Sequence, residues 1–284
     1  MADAPQVLPN SKNDLIVPNV QKNLIEASMF APTVRDISGF FPKGSKSAAI
    51  PKLTNFAVQN RAFGATGDAT ALVDSTDLVD TFKNAYIAYL YDSRDIYQST
   101  INYQLEASAR AGAAHGKDVD LNVIATILGV AGHEVSVAAF TTIKEQALEL
   151  RRQVLQAGGD ISKMTYGISL DKEAEMLQEA DFIRADFYGS ANVRSGQIGQ
   201  IYGIPVMVSR NVTGTGADSM FLHDADGIGL GFQGGVEMSE QLANEYGASS
   251  MRVAVDQLYF YGGLQLGESG VAADKSALVA KLVA

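Results

Sequence analysis

At 284 residues, with 46% hydrophobic and 19% charged side chains, the chain can bury a full core as one large domain or two, and no long segment is polar enough to be disordered by composition. Its net charge of −10 argues against a protein that holds nucleic acid through a generally basic surface, and the absence of cysteine excludes disulfides, thiolate metal sites and cysteine nucleophiles. No run of about 18 apolar residues exists to cross a membrane as a helix, and the opening "MADAPQVLPNSKNDL" lacks the basic-then-apolar order of a secretory signal.

Residues 1 to about 45 hold most of the prolines and little periodicity, which reads as an extended arm with one short helix near "NVQKNLIEAS". Residues 46–90 are rich in Gly, Ser, Thr and Ala, with a turn at "FGATGDAT" and a strand at "TFKNAYIAYLY"; such a segment cannot build its own core and reads as a long protruding hairpin. Asp92 to His115 places Tyr97, Ile101, Leu105 and Ala109 on one stripe of a helix. Gly116 is the expected stop, and Asp118 or Asp120 is expected to cap a second helix with Val123, Ile124, Ile127 and Leu128 facing inward. Thr142 followed by Glu145 is a capping-box pattern for a third helix burying Ile143, Ala147, Leu150 and Val154 and ending at Gly158-Gly159. A short strand at "KMTYGIS" precedes a helix capped by Ser169, with Asp171 and Glu173 in its first turn.

The stretch "GQIGQIYGIPVMVSR" alternates like a half-buried strand through Ile198, Tyr202, Ile204, Val206 and Val208, yet contains Gly199, Gly203 and Pro205, which a central strand avoids. "GGVEMSEQLANEYG" reads as a modest helix, and "SMRVAVDQLYFYGGLQLG" as one or two strands. No internal repeat is visible. The class is α+β, with helices grouped in the middle and strands drawn from distant parts of the chain.

Charge is unevenly placed. Between Ile37 and Gly67 stand Lys43, Lys46, Lys52 and Arg61 with no acid; between Asp68 and Thr81 stand Asp68, Asp74, Asp77 and Asp80 with no base. These eight residues are candidates to pair between limbs of the hairpin or between subunits. The alternatives are two ordinary solvated faces, or bases turned toward DNA phosphates.

Candidate chemistry is sparse. Gly196-x-x-Gly199-x-x-x-Gly203 is neither the dinucleotide fingerprint nor a phosphate loop. "HDADGIGLG" resembles a calcium loop, but counting from Asp224 the fifth position is Ile228 and the twelfth Gly235, so a polar turn is expected, with no metal needed for folding. His115, His133 and His223 have no second histidine at zinc spacing, and no serine sits in a Gly-x-Ser-x-Gly elbow. Glu173, Glu175 and Glu179 read as a solvated helix face. No catalytic residue, cofactor site or metal site is proposed, which counts against an enzyme.

In order along the chain, "SARAGAAHGKDVDLNVIATIL", "MTYGISLDKEAEMLQEADFIRADFYG", "GQIGQIYGIPVMVSRN" and "RVAVDQLYFYGGLQL" resemble the spine helix, strand-helix-turn, recognisable strand and return strands of tailed-bacteriophage major capsid proteins, which share the Hong Kong-type shell fold. The resemblance covers roughly residues 40 to 270. It implies an N-terminal arm (1–45), an extended hairpin (46–90), a spine helix (91–118), a mainly axial domain (119–240), and return strands with a C-terminal tail (241–284). The break at Gly203 and Pro205 would then bend a strand where subunits meet around a symmetry axis. The implied function is a non-enzymatic subunit of an icosahedral head enclosing double-stranded DNA. Its partners would be itself as hexamers and pentamers, a separate scaffolding protein, a portal and cement proteins. DNA would be touched non-specifically at most and no membrane is involved. Its place would be the virion, assembled in the host cytoplasm. An encapsulin-like nanocompartment shell and a soluble α/β enzyme are the alternatives.

Overall fold

The computed structural model describes residues 18, 20–24, 28–42, 44–53, 74–92, 103–178, 199–213, 217–242, 250–268 and 270–284. Thirteen strands and three longer helices are described among them. The first sheet is organised by a 14-residue strand, β12 (Ser250–Gly263). One side of β12 pairs along nearly its whole length with antiparallel β4 (Phe82–Asp92). The other side is shared by β11 (Glu237–Leu242) and β10 (Ile228–Phe232), and β1 (Arg35–Asp36) adds in parallel to β10. The second sheet has six strands in the order β5 (Ala131–Ser136), β13 (Ser276–Val283), β9 (Met220–Asp224), β6 (Met164–Ile168), β8 (Ile204–Val208) and β7 (Gln200–Ile201). A third ladder is the hairpin of β2 (Ala48–Leu53) and β3 (Asp74–Val79); its tip, "FGATGDAT" included, lies outside the described residues.

Every residue of β6 and β9 is buried, because this sheet is covered on both faces. On one face lie helices α2 (Ile143–Gln156) and α3 (Leu170–Gln178). Helix α2 presents Ile143, Ala147, Leu150 and Val154 to Met164, Tyr166, Ile204 and Leu222. Burying each large aliphatic side chain stabilises by about 1.5–3 kcal/mol. The Tyr166 hydroxyl donates to the Ala147 carbonyl at 2.7 Å, so this buried tyrosine leaves no polar atom unpaired. The expected capping box is present, with Thr142 accepting from the Glu145 N–H and Glu145 reaching back to Thr142. At the far end Gly159 N–H bonds Val154 O and Gly158 N–H bonds Leu155 O, the Schellman closure that the Gly-Gly pair permits. Ser169 caps α3 through the Lys172 N–H.

Between the two sheets lies helix α1 (Tyr103–Val130), 28 residues and so roughly 42 Å long. Here the structure corrects the expectation of two helices. The chain does not stop at Gly116 but runs through it in a single helix, and Asp118 and Asp120 are interior residues rather than caps. Glycine inside a helix costs about 1 kcal/mol relative to alanine. Val119, Val123 and Ile127, all fully buried, more than offset that cost on the next turns. The Asp92–Asn102 part of the helix expected from Asp92 to His115 belongs to the end of β4 and to residues outside those described.

Three further expectations change. "GGVEMSEQLANEYG" is not a helix: Glu237–Leu242 is β11, paired with β12 so that Met238 packs against Val255 and Val253. The segment 28–42 of the arm is not extended over a surface. Phe30 and Ile37 are fully buried there, and Ile37 N–H bonds the Leu230 carbonyl of β10. Of the short helix near residues 19–28, residues 20–24 are helical, with Val20 and Leu24 buried. Finally, the C-terminal segment is no tail, since β13 lies between β5 and β9 with Val279, Ala280 and Leu282 fully buried.

Candidate functional site

The root of the β2–β3 hairpin holds a polar lock. Lys52 Nζ lies 3.1 Å from Asp77 Oδ1, with only 12% and 5% of the two side chains exposed. The ammonium also donates to the Leu266 carbonyl at 2.7 Å, and the other Asp77 oxygen accepts the Gln265 N–H at 2.7 Å. The hairpin is thereby tied to the loop that follows β12. Below it Ile50, Val79, Phe41 and Phe260 form a small apolar cluster in which the rings of Phe41 and Phe260 stack at 3.9 Å.

Of the eight charges singled out, the structure therefore brings together Lys52 and Asp77, within one chain. Lys46 and Asp80 are exposed near the hairpin base. Asp74 pairs through its backbone with Leu53, and Lys43, Arg61 and Asp68 lie outside the described residues.

The sheet of β4, β12 and β11 has two unlike faces. Its inner face packs on α1 and on residues 20–24, with Ala85 and Tyr259 against Val119 and Val123, and Val253 and Val255 against Val20. A network fixes that packing: Asp118 on α1 accepts from Lys83 Nζ of β4 and from the Tyr259 hydroxyl of β12 at 2.6 Å, and Asn122 donates to the same hydroxyl at 2.8 Å. Burial pushes Asp118 up, but the bonds from Lys83 and Tyr259 outweigh it and hold the carboxyl below its usual range; burial and Asp118 together push Tyr259 up. The outer face is covered by Phe41 and the hairpin root at its Phe260 end and is open beyond it: Phe82, Tyr86 and Leu90 of β4 are 48, 50 and 46% exposed, and on the hairpin Leu78 of β3 is 62% exposed. Beside them Arg252 donates to the Tyr86 hydroxyl, and a shallow hollow of about 150 Å³ runs between Tyr86, Arg252, Asp256 and Gln241. A row of large apolar side chains with charged neighbours is a surface that another protein can cover.

The glycine-rich stretch resolves into a tight hairpin at the end of the second sheet. β7 and β8 pair as Ile201↔Ile204 and Gln200↔Pro205. The connecting residues Tyr202 and Gly203 have φ of 51° and 81°, the left-handed pair of a type I′ turn. The expected bend at Gly203 is thus a chain reversal. Pro205 is tolerated because pairing of β8 with β6 begins one residue later, at Tyr166↔Val206. Tyr202, 44% exposed, stands at the tip.

The calcium-like segment is used internally. Asp224 accepts the N–H groups of Asp226 and Asp160, and Asp226 meets Lys163 at 2.7 Å and Arg35 at 4.0 Å. Among the described residues no three His, Asp or Glu side chains gather as a metal site. His115 and His223 are buried and His133 is half-buried, each with one ring nitrogen that has no partner among the described residues.

No protein-family model matches the chain, and no curated protein matches it in sequence. Solved structures do match. A structure from Mycobacterium phage Che8 superposes with a TM-score of 0.67 at 17% identity, covering 90% of each chain. The capsid structure of the cyanophage P-SCSP1u gives 0.63 at 15% identity over 88% of this chain and 85% of that one. The asymmetric unit of the mature capsid of bacteriophage PhiM1 gives 0.63 at 14% identity, over 90% and 87%. The chain therefore has the phage capsid fold, the Hong Kong-type shell fold that its sequence resembles.

Proposed function

We propose that this chain is a major capsid protein, the subunit of an icosahedral phage head that encloses double-stranded DNA. The observation that carries the proposal is the shared path with solved phage capsids over about nine-tenths of both chains. The exposed part of the β4 face and the exposed Leu78 side of the hairpin, whose root the Lys52–Asp77 lock fastens to the body, support it, since both offer surface to a neighbouring copy. On this reading the β4–β12–β11 sheet with α1 is the peripheral domain. The six-stranded sheet with α2 and α3 is the axial domain, and the Tyr202–Gly203 tip faces a symmetry axis.

On this reading the subunit acts by contact, and no catalytic residue is assigned to it. Its partners are copies of itself as hexamers and pentamers, with scaffolding, portal and cement proteins joining in the host cytoplasm and the finished shell residing in the virion. Lys46 and Asp80 remain contact candidates between subunits, whereas Lys52 and Asp77 serve the hairpin itself. Exposed pairs are worth about 0–1 kcal/mol each and weaken as the screening length falls from about 8 Å to about 3 Å in 1 M salt. Sedimentation velocity of the purified chain, alone and with a scaffolding protein, is expected to show capsomers or particles. A monomer or dimer under every condition contradicts the proposal.

A further inference from the structure

Residues 28–34 close over the layer between the two sheets and are held by two polar anchors from different elements. On one side Asp120 of α1 accepts the Met29 and Phe30 N–H groups at 2.9 and 3.0 Å. On the other, His223 of β9 is fully buried, and its Nε2 lies 3.0 Å from Thr33 Oγ1 and 3.3 Å from the Thr33 carbonyl. Thr33 Oγ1 itself donates to the Phe30 carbonyl at 2.8 Å, so toward the imidazole it offers only lone pairs. The proton of the neutral ring therefore sits on Nε2. Nδ1 is then a bare acceptor, with no partner among the described residues.

We propose that His223 is an acid-sensitive latch on the 28–34 segment: a proton added at Nδ1 creates an unpaired donor and a buried charge, relieved when that segment lifts and water reaches the ring. Among the described residues no free carboxylate is placed to compensate the charge. The ladder neighbours are Thr165 on β6 and Val279 on β13, neither ionisable, and the ring of Phe221 lies 6.0 Å away. Asp224, next in sequence, is bound to the N–H groups of Asp160 and Asp226; Asp226 is engaged by Lys163 and Arg35. From α1 the carboxylate is Asp120, which is spent on Met29 and Phe30.

Burial holds the imidazole down to about 4 against an ordinary 6.5, with the Thr33 carbonyl a smaller opposing influence. A depressed histidine supports the closed state fully above about pH 6.5 and progressively less as pH falls toward 4. Opening is thus favoured by up to tenfold per pH unit, about 300-fold over the window. Asp120 acts with the opposite sign: burial raises it, more than its two N–H bonds lower it, so acid relieves its buried charge and blunts the response at the low end.

Hydrogen exchange by mass spectrometry tests the latch on peptides spanning residues 28–37 of the full chain, between pH 7.5 and 5.5 and corrected for the intrinsic rate. Protection is expected to fall about tenfold below pH 6.5 in the native sequence and to stay level in His223→Gln. Equal slopes in the two proteins, or level protection in the native one, overturn the proposal. Should the variant not fold, C2–H exchange of the three histidines in the native protein decides. A His223 midpoint near 4 supports the latch, and one at the ordinary 6.5 overturns it.

Discussion

Gly112 shows how one position joins the arm to the body. It lies in α1 where the helical residues 20–24 cross it, and a Cβ placed there would sit 2.4 Å from the Val20 carbonyl oxygen and 2.8 Å from Asn23 Cβ. Backbone cannot retreat as a flexible side chain would, so Gly112→Ala is expected to cost about 1–3 kcal/mol. Gly129 lies on the same helix, and a Cβ added there would meet nothing within 4 Å, so Gly129→Ala is expected to gain about 0.5–1 kcal/mol. Chemical denaturation of the two variants should move in opposite directions; a loss in both would show that α1 is not continuous through this region. The Lys52–Asp77 pair makes a second residue-scale case. Asp77→Ala strips the half-buried Lys52 ammonium of its 3.1 Å partner, leaving Glu268 at 4.0 Å, and takes the acceptor from the Gln265 N–H, at an expected cost of about 1–3 kcal/mol. Asp80→Ala, at an exposed site, is expected to stay within about 0.5 kcal/mol. Equal melting temperatures for the two would contradict the lock.

At the scale of elements, the β7–β8 hairpin puts a tyrosine where asparagine is the favoured residue. A non-glycine residue in the left-handed region costs about 1–2 kcal/mol, and Tyr202 holds φ of 51° at an exposed tip. Tyr202→Asn is therefore expected to raise the stability of the subunit by about 1 kcal/mol while weakening assembly, if the aromatic tip is kept for a neighbour; unchanged assembly would leave the strained residue without that role. Legibility also differs between elements. The α2 capping box, the Ser169 cap and β4 are legible in the sequence because their signals are local: a hydroxyl three residues before a backbone N–H, or an eleven-residue β-rich run. β11 reads wrongly as a helix because its Ser, Glu and Gln content suits a solvated one, and only the long neighbour β12 makes it a strand. β13 escapes notice because Ala, Leu and Lys carry little strand preference; its burial between β5 and β9 is a tertiary fact. The Lys52–Asp77 pairing is half visible, as a reversal of charge along the chain. Which partners meet, and that they meet within one subunit, depends on the hairpin register of Ile50↔Asp77.

For the whole molecule, the layers explain why the subunit keeps its shape and still has surface to give. The six-stranded sheet carries a separate apolar cluster on each face, one against α2 and α3 and the other against α1 and the inner face of the first sheet. The exposed part of the outer face of that first sheet, with Tyr86 and Leu90, and the exposed side of the hairpin are left to other contacts, and on the reading proposed above copies of the same chain cover them. Negative-stain electron microscopy decides the matter, on the native sequence and on the Leu78→Asp/Leu90→Asp double variant, each produced with a scaffolding protein. Both leucines are largely exposed, so the variant is expected to melt within a few degrees of the native subunit. Closed shells of uniform diameter are expected from the native sequence and none from the variant; shells from the variant, or only small soluble oligomers from the native chain, would show that these surfaces do not build a head.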